Sequence, residues 1–147
     1  MAPGLYDAAI KAAARTDKGR GALDAPDRRL LLDNPLCGDR VRLDVAFDDA
    51  GRIEALAHET KGCLLTRAAA AVAVDVAPGL DASALRDLRA SFAAWLEGAR
   101  ADAPDPRLEI FAPVRAVKSR HACVLLPFAD LDDPDNGLEP ERAREEP

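Results

Sequence analysis

Val41-Arg42-Leu43-Asp44-Val45-Ala46-Phe47 alternates Val41, Leu43, Val45 and Phe47 with Arg42, Asp44 and Ala46. That is the period of a strand with one buried face. Asp48-Asp49-Ala50-Gly51 supplies turn residues, and Ile53 to Thr60 returns as a partner strand, so the segment predicts an antiparallel hairpin. The hairpin begins just after Asp39 and ends just before Cys63, which places a cysteine-bearing segment at each of its ends.

Upstream lies Asn34-Pro35-Leu36-Cys37-Gly38-Asp39. Pro35 keeps a helix from running through Asn34, and Gly38 offers the positive φ of a tight loop that can turn Cys37 and Asp39 toward one point. The pair could share a metal, although any cysteine in a turn near an aspartate looks the same. Leu23 to Leu32 leads into this loop as an extended or irregular stretch. Before it, Thr16 to Gly21 reads as a loop, and Leu5, Ala8, Ala9, Ala12 and Ala13 recur at helical spacing over Gly4 to about Arg15.

Downstream, Lys61-Gly62-Cys63 opens an alanine-rich helix over Leu64 to Val76, with Leu65, Ala69, Val72 and Val76 on one side. Cys63 therefore stands where a strand becomes a helix. Unpaired amides, the helix dipole and a folded-back Lys61 would favour a thiolate there; a small buried side chain at a tight turn fits equally well. Pro78-Gly79 breaks the chain, Asp81 is an N-cap, and Leu85, Leu88, Phe92, Trp95 and Leu96 form the apolar stripe of a helix ending at Gly98. Trp95 reads as core. Ala99 to Arg107, with Pro104 and Pro106, is a connector, and Leu108 to Phe111 is too short to type. Arg120-His121-Ala122-Cys123-Val124-Leu125-Leu126-Pro127 predicts a last helix from near Lys118 toward Leu131, kinked or interrupted at Pro127.

At 147 residues the chain makes one domain, residues 1–132, large enough for its own core. Residues 133–147 are proline, glycine and charge without apolar spacing and predict a disordered tail. The net charge of -6 belongs to that end, since Asp130 to Pro147 holds eight acids against Arg142 and Arg144 and leaves the rest neutral. A body without basic surplus and with six aromatic side chains argues against nucleic-acid binding. Ala68 to Val74 is the longest unbroken apolar run, far short of the roughly 20 residues of a membrane span. Three cysteines cannot all pair within one chain, and no leader is evident, so a reducing, cytoplasmic compartment is expected.

The order Asn-Pro-x-Cys-Gly-Asp, then Gly62-Cys63 at a strand-to-helix turn, then Arg120-x-x-Cys123 resembles the U-type iron-sulfur cluster assembly family, the NifU N-terminal, IscU and SufU-like proteins. The resemblance covers roughly Leu23 to Leu131, with Leu5-Tyr6 at the amino end, and the gap from Cys63 to Cys123 together with Val114-Arg115 makes it nearer SufU. It implies an α+β fold of SufE/NifU type, a small antiparallel sheet covered by helices on one face, with the thiols meeting at one end. It implies that Cys37, Cys63 and Cys123 are thiolate ligands, with Asp39 as a fourth, exchangeable one, for an iron-sulfur cluster (2Fe-2S) or zinc. The partners it implies are a cysteine desulfurase and apo iron-sulfur acceptor proteins.

Three departures from that family stand out. Leu64-Leu65-Thr66-Arg67 replaces a serine-rich helix start, Thr16 to Gly21 replaces a proline-containing loop, and Ala122 stands where IscU has a histidine, with His121 one residue earlier. One residue is about 100° around a helix, so His121 need not face a metal. His58, on the second strand, reads as structural or exposed.

Soft sulfur suits zinc or an iron-sulfur cluster over magnesium or calcium. A permanent structural zinc is more often held by four cysteines or two cysteines and two histidines, so an oxygen ligand such as Asp39 suits a site that opens. As a loop carboxylate beside glycine, Asp39 is not expected to be a core group. Arg120, one helical turn before Cys123, makes Cys123 the expected persulfide acceptor, because a nearby guanidinium favours thiolate. The expected function is a scaffold or sulfurtransferase-like acceptor rather than a conventional enzyme; the alternative is a zinc-stabilised, non-catalytic protein-interaction module.

Overall fold

The computed structural model describes residues 7–133 and 137–138. The elements run α1 (Ala8–Thr16), β1 (Arg28–Asn34), β2 (Asp39–Phe47), β3 (Ile53–Lys61), α2 (Leu64–Val76), α3 (Ala82–Leu96), 3-10 turns over Pro106–Ala116 and Lys118–Arg120, α4 (His121–Leu125) and a two-residue β4 (Gly137–Leu138). The antiparallel sheet has the order β3-β2-β1-β4. Leu5 and Tyr6 of the expected motif lie outside the described residues.

The β2–β3 hairpin and the limits of α2 agree with the apolar pattern. One face of the sheet carries Leu30, Leu32, Val41, Leu43, Val45, Ile53 and Leu56 into the core, where they meet α2 and the buried Phe92, Phe111 and Phe128. Helix α2 is the central element: Leu65, Thr66, all six residues from Ala68 to Ala73 and Val76 are buried, and the alanines let neighbours approach closely on more than one side. Helix α3 starts at Asp81, whose side chain accepts from the Ala84 amide at 2.7 Å. Trp95 is buried, as its stripe predicted.

Four stretches differ from the sequence expectation. Leu23 to Leu32 is not irregular throughout: from Arg28 it is β1, and Asn34 to Asp39 is the loop of a first hairpin. Three consecutive leucines hid the strand, since Leu30 and Leu32 face the core while Leu31 is half-buried on the other side. That other side is also covered in part, because the chain before β1 lies over it; Asp44 is 0% exposed, held by Arg29 at 2.8 and 2.9 Å and by the Leu23 amide at 3.0 Å. From Pro106 the connector winds into 3-10 turns, whose period of three puts Leu108, Phe111 and Val114 on one buried face. The last helix is shorter than expected, ending at Leu125 because Pro127 has no N–H to carry the hydrogen-bond ladder on past Leu126.

Gly137–Leu138 pairs with Leu30 and Arg29 of β1, inside the segment that composition assigns to a disordered tail. Backbone pairing to an open sheet edge needs no apolar side-chain pattern, which is why composition did not show it. Among the described residues no helix is long and apolar enough to cross a membrane.

Candidate metal centre

The first hairpin loop and the start of α2 meet at one end of the sheet. Asn34 and Asp39 close the β1–β2 ladder, and between them the Cys37 and Gly38 amides fold back on the Asn34 carbonyl at 3.2 and 2.8 Å. Gly38 has φ +73°, the left-handed conformation that its lack of a side chain makes cheap. The loop aims Cys37 inward, while Leu36 beside it is 89% exposed. Cys123 arrives from α4, 0% exposed, and its Sγ lies 3.5 Å from that of Cys37. Asn34 donates to the Cys123 sulfur at 3.8 Å.

Asp39 is 1% exposed, contrary to the expectation of a loop carboxylate outside the core. It is the first residue of β2 and points with Val41 to the helix side of the sheet. Its Oδ1 accepts from the Cys63 amide at 2.9 Å and its Oδ2 from the Thr66 hydroxyl at 2.9 Å. Asp39 thus caps α2 from another element, at the end where a helix leaves N–H groups unpaired and favours negative charge. Gly62 makes this approach possible, since a Cβ there would fall within 3.0 Å of the Asp39 Oδ1, Cγ and Cβ.

Cys37, Asp39 and Cys123 present donor atoms that all lie within 4.8 Å of one another. Cys63 is at the margin of this trio. Its Sγ lies 3.9 Å from Asp39 Oδ2 and 3.4 Å from the Thr66 hydroxyl, and it does not complete a four-donor set at the same spacing. Tetrahedral zinc with Zn–S bonds of about 2.3 Å has donor-donor edges of about 3.8 Å. The 3.5 and 3.9 Å separations match that scale, so sulfur and carboxylate here fit a zinc ion or the edge of an iron-sulfur cluster. All three cysteines are free thiols. Burial pushes the Cys123 thiol well above the ordinary cysteine range, helped by the hydrogen bond with Cys37 and by the nearby Cys63 and Asp39.

Arg120 is placed differently from the sequence expectation. Its Nη1 donates to the sulfur of Cys37 at 3.4 Å, across the site from the helix it precedes. Residues 118–120 form a 3-10 turn rather than the first α-turn of the last helix, so the three-residue spacing to Cys123 does not carry the expected stacking. His121 also turns away from the thiols: its Nε2 lies 3.0 Å from the Val114 carbonyl and 3.3 Å from that of Arg115, tying α4 to the preceding 3-10 turns. His58 is structural and buried, with Nε2 donating to the Lys18 carbonyl at 2.8 Å and Nδ1 accepting from Thr60 at 2.9 Å. Lys61 is exposed at the end of β3.

Two contributors escaped the sequence reading. The spacing makes Asn34 the first residue of the loop motif but gives its side chain no partner, and it makes Thr66 only part of an unusual helix start. The Cys63-x-x-Thr66 spacing is the available signal, because it puts a hydroxyl at the third helical position, where side chains reach back toward the helix start.

The model of the NifU-like N-terminal domain matches residues 6–96, which include Cys37, Asp39 and Cys63 and end before Cys123. Among curated proteins none matches the chain. Among solved structures, the N-terminal part of a nitrogen-fixing NifU-like protein from Brucella abortus is 32% identical, with TM-score 0.75, over 84% of this chain and 87% of that one. A protein assigned as the iron-sulfur cluster assembly scaffold of the SUF system in thermophilic Fervidobacterium islandicum AW-1 shares the fold at TM-score 0.78 and 23% identity, over 87% of this chain and 94% of that one. With a family model that spans more than half of the sequence and a NifU-like fold that carries the matched cysteines to one end of its sheet, the chain belongs to the NifU-like N-terminal domain family.

Proposed function

We propose that this chain is an iron-sulfur cluster assembly protein that holds a cluster, or zinc, at Cys37, Cys63, Cys123 and Asp39 and accepts persulfide sulfur from a cysteine desulfurase. The observation that carries the reading is the convergence of Cys37, Asp39 and Cys123 to within 4.8 Å, with Cys63 against the same carboxylate, on a NifU-family fold. Cys63 completes the set by turning from Thr66 toward the trio. A cluster is cargo here, to be released to apo iron-sulfur acceptor proteins. The SUF-system protein of the same fold, assigned as a cluster assembly scaffold, is consistent with the assembly reading.

Cys37 replaces Cys123 as the thiol that first takes sulfur. It is half-buried and receives the Arg120 guanidinium, whereas Cys123 is buried under its neighbours. In the transfer the Cys37 sulfur attacks the outer sulfur of the desulfurase persulfide; a new S–S bond forms on Cys37 and the desulfurase cysteine leaves as thiolate.

Anaerobic purification followed by iron, zinc and sulfide analysis tests the metal assignment. One zinc, or iron and inorganic sulfide in equal amounts, is expected, with loss on replacing Cys37 or Cys123 by serine; equal binding by those variants would overturn it. Incubation with a desulfurase and cysteine, then peptide mass spectrometry, is expected to find the added sulfur on Cys37 at the earliest times. First appearance on Cys123 would restore the sequence-based assignment. Chelation separates this reading from a zinc-stabilised module: the apolar core is continuous through both hairpins and all four helices, so the apo protein should stay folded.

A further inference from the structure

Thr66 is fully buried in the first turn of α2, among Leu65, Ala68 and Ala69. A hydroxyl in such surroundings costs free energy unless it is bonded, and valine would fill the same volume without that requirement. Both hydrogen-bond partners of this hydroxyl belong to the metal centre. Its single proton goes to Asp39 Oδ2 at 2.9 Å, because an ionised carboxylate only accepts. Its lone pairs then face the Cys63 sulfur at 3.4 Å. With the Cys63 amide on Oδ1, each carboxylate oxygen is fixed by one short hydrogen bond of 2.9 Å, and Oδ2 also receives the Cys63 thiol at 3.9 Å.

We infer that Thr66 is a positioning residue of the metal centre: its hydroxyl fixes the Asp39 carboxylate at the distance from the Cys37 and Cys123 sulfurs that a bound ion requires. The inference rests on the reading of Asp39 as a ligand. A group that hydrogen-bonds a ligating carboxylate typically changes metal affinity about 10–100-fold when removed. Thr66→Val keeps the shape and deletes the donor; Thr66→Ser keeps the donor and deletes a methyl.

Zinc affinity is measured by chelator competition on the full chain, at a temperature where each apo variant is folded, with cobalt(II) absorption as a report on the ligand set. Thr66→Val should lower zinc affinity about 10–100-fold and shift the cobalt bands, with Thr66→Ser within about threefold of the parent. In an Asp39→Ala background Thr66→Val should have no further effect, since it acts through the carboxylate. A parent-like affinity for Thr66→Val, or an equal loss in the Asp39→Ala background, would overturn the inference. Equal zinc affinity of the parent and Asp39→Ala would instead overturn the ligand reading beneath it. If Thr66→Val does not fold, Thr66→Ala against Thr66→Ser makes the same comparison.

Discussion

Asp39→Ala and Asp39→Asn together separate the two tasks of this carboxylate. In the apo protein Asp39 is 1% exposed and accepts the Cys63 amide and the Thr66 hydroxyl, each at 2.9 Å. Hydrogen bonds to a charged acceptor contribute about 1.5–3 kcal/mol each, while returning a buried carboxylate to water offsets part of that. The expected cost of Asp39→Ala is therefore about 2–4 kcal/mol, or a fall of about 6–12 °C in Tm for a chain of this size. Asn keeps the shape and an oxygen for the Cys63 amide, and the Thr66 hydroxyl can turn to accept from the new NH₂; its cost should be about 1 kcal/mol or less. Both variants lose the anionic donor and should bind zinc more weakly. Thermal unfolding of the apo forms, paired with chelator competition for zinc, reads the two effects apart. An unchanged Tm for apo Asp39→Ala would refute the capping role of Asp39, and an Asn variant as unstable as the Ala variant would show that charge, not hydrogen bonding, holds α2 in place.

Gly62→Ala should cost about 1–3 kcal/mol and weaken zinc binding as well, because the new Cβ displaces either the carboxylate or the start of α2. Equal Tm and zinc affinity in that variant would show that the approach is not tight. His58 gives a pH dependence of opposite origin: burial, aided by the Arg20 charge, lowers its pKa below 6.5, against the opposing Lys18 carbonyl, Glu59 and Asp17. Below about pH 6.5 the unfolded chain takes up a proton that the folded chain refuses, so stability should fall as pH drops from there to the lowered folded value and level off beneath it. Unfolding free energies of the parent and His58→Gln between pH 7.5 and 4.5 check this, with a parallel pH dependence in both proteins as the refuting result.

The extent to which the sequence revealed this molecule follows which interactions leave a period. The β2–β3 hairpin and α3 bury one continuous face each, and Val41-x-Leu43-x-Val45 or Leu85-x-x-Leu88-x-x-x-Phe92 write that face directly into the spacing, whereas α2, buried on more than one side, was legible from the helix propensity of its alanines. β1 left no alternation because its outer face is also partly covered, and Leu108-x-x-Phe111-x-x-Val114 was missed because its period is three rather than 3.6. The cysteines were legible through the strand-turn contexts of Cys37 and Cys63. Side-chain contacts across elements were not: nothing local to Asp39 announces that Thr66 and the Cys63 amide will bury it, and nothing local to Arg120 announces that it will reach Cys37.

Those contacts also change which donor is free to exchange. The family resemblance made Asp39 the labile ligand, on the ground that oxygen binds soft metals less firmly than sulfur. In the fold, Asp39 and Cys63 form a locked half of the centre, joined through the Cys63 amide, the Thr66 hydroxyl and the close approach that Gly62 permits. Cys123 is fixed by burial in the core and by Asn34. Cys37 is held least, half-buried at the tip of a hairpin loop beside the almost wholly exposed Leu36, with the Arg120 guanidinium and the Cys123 sulfur as the partners of its own sulfur. Small movements of a loop tip cost far less than moving a buried carboxylate away from two donors. Freedom at this centre therefore belongs to Cys37: in the proposed assembly role, its departure would open one side to an incoming persulfide or an outgoing cluster, while the Asp39 carboxylate, the Cys63 backbone and Cys123 keep their places.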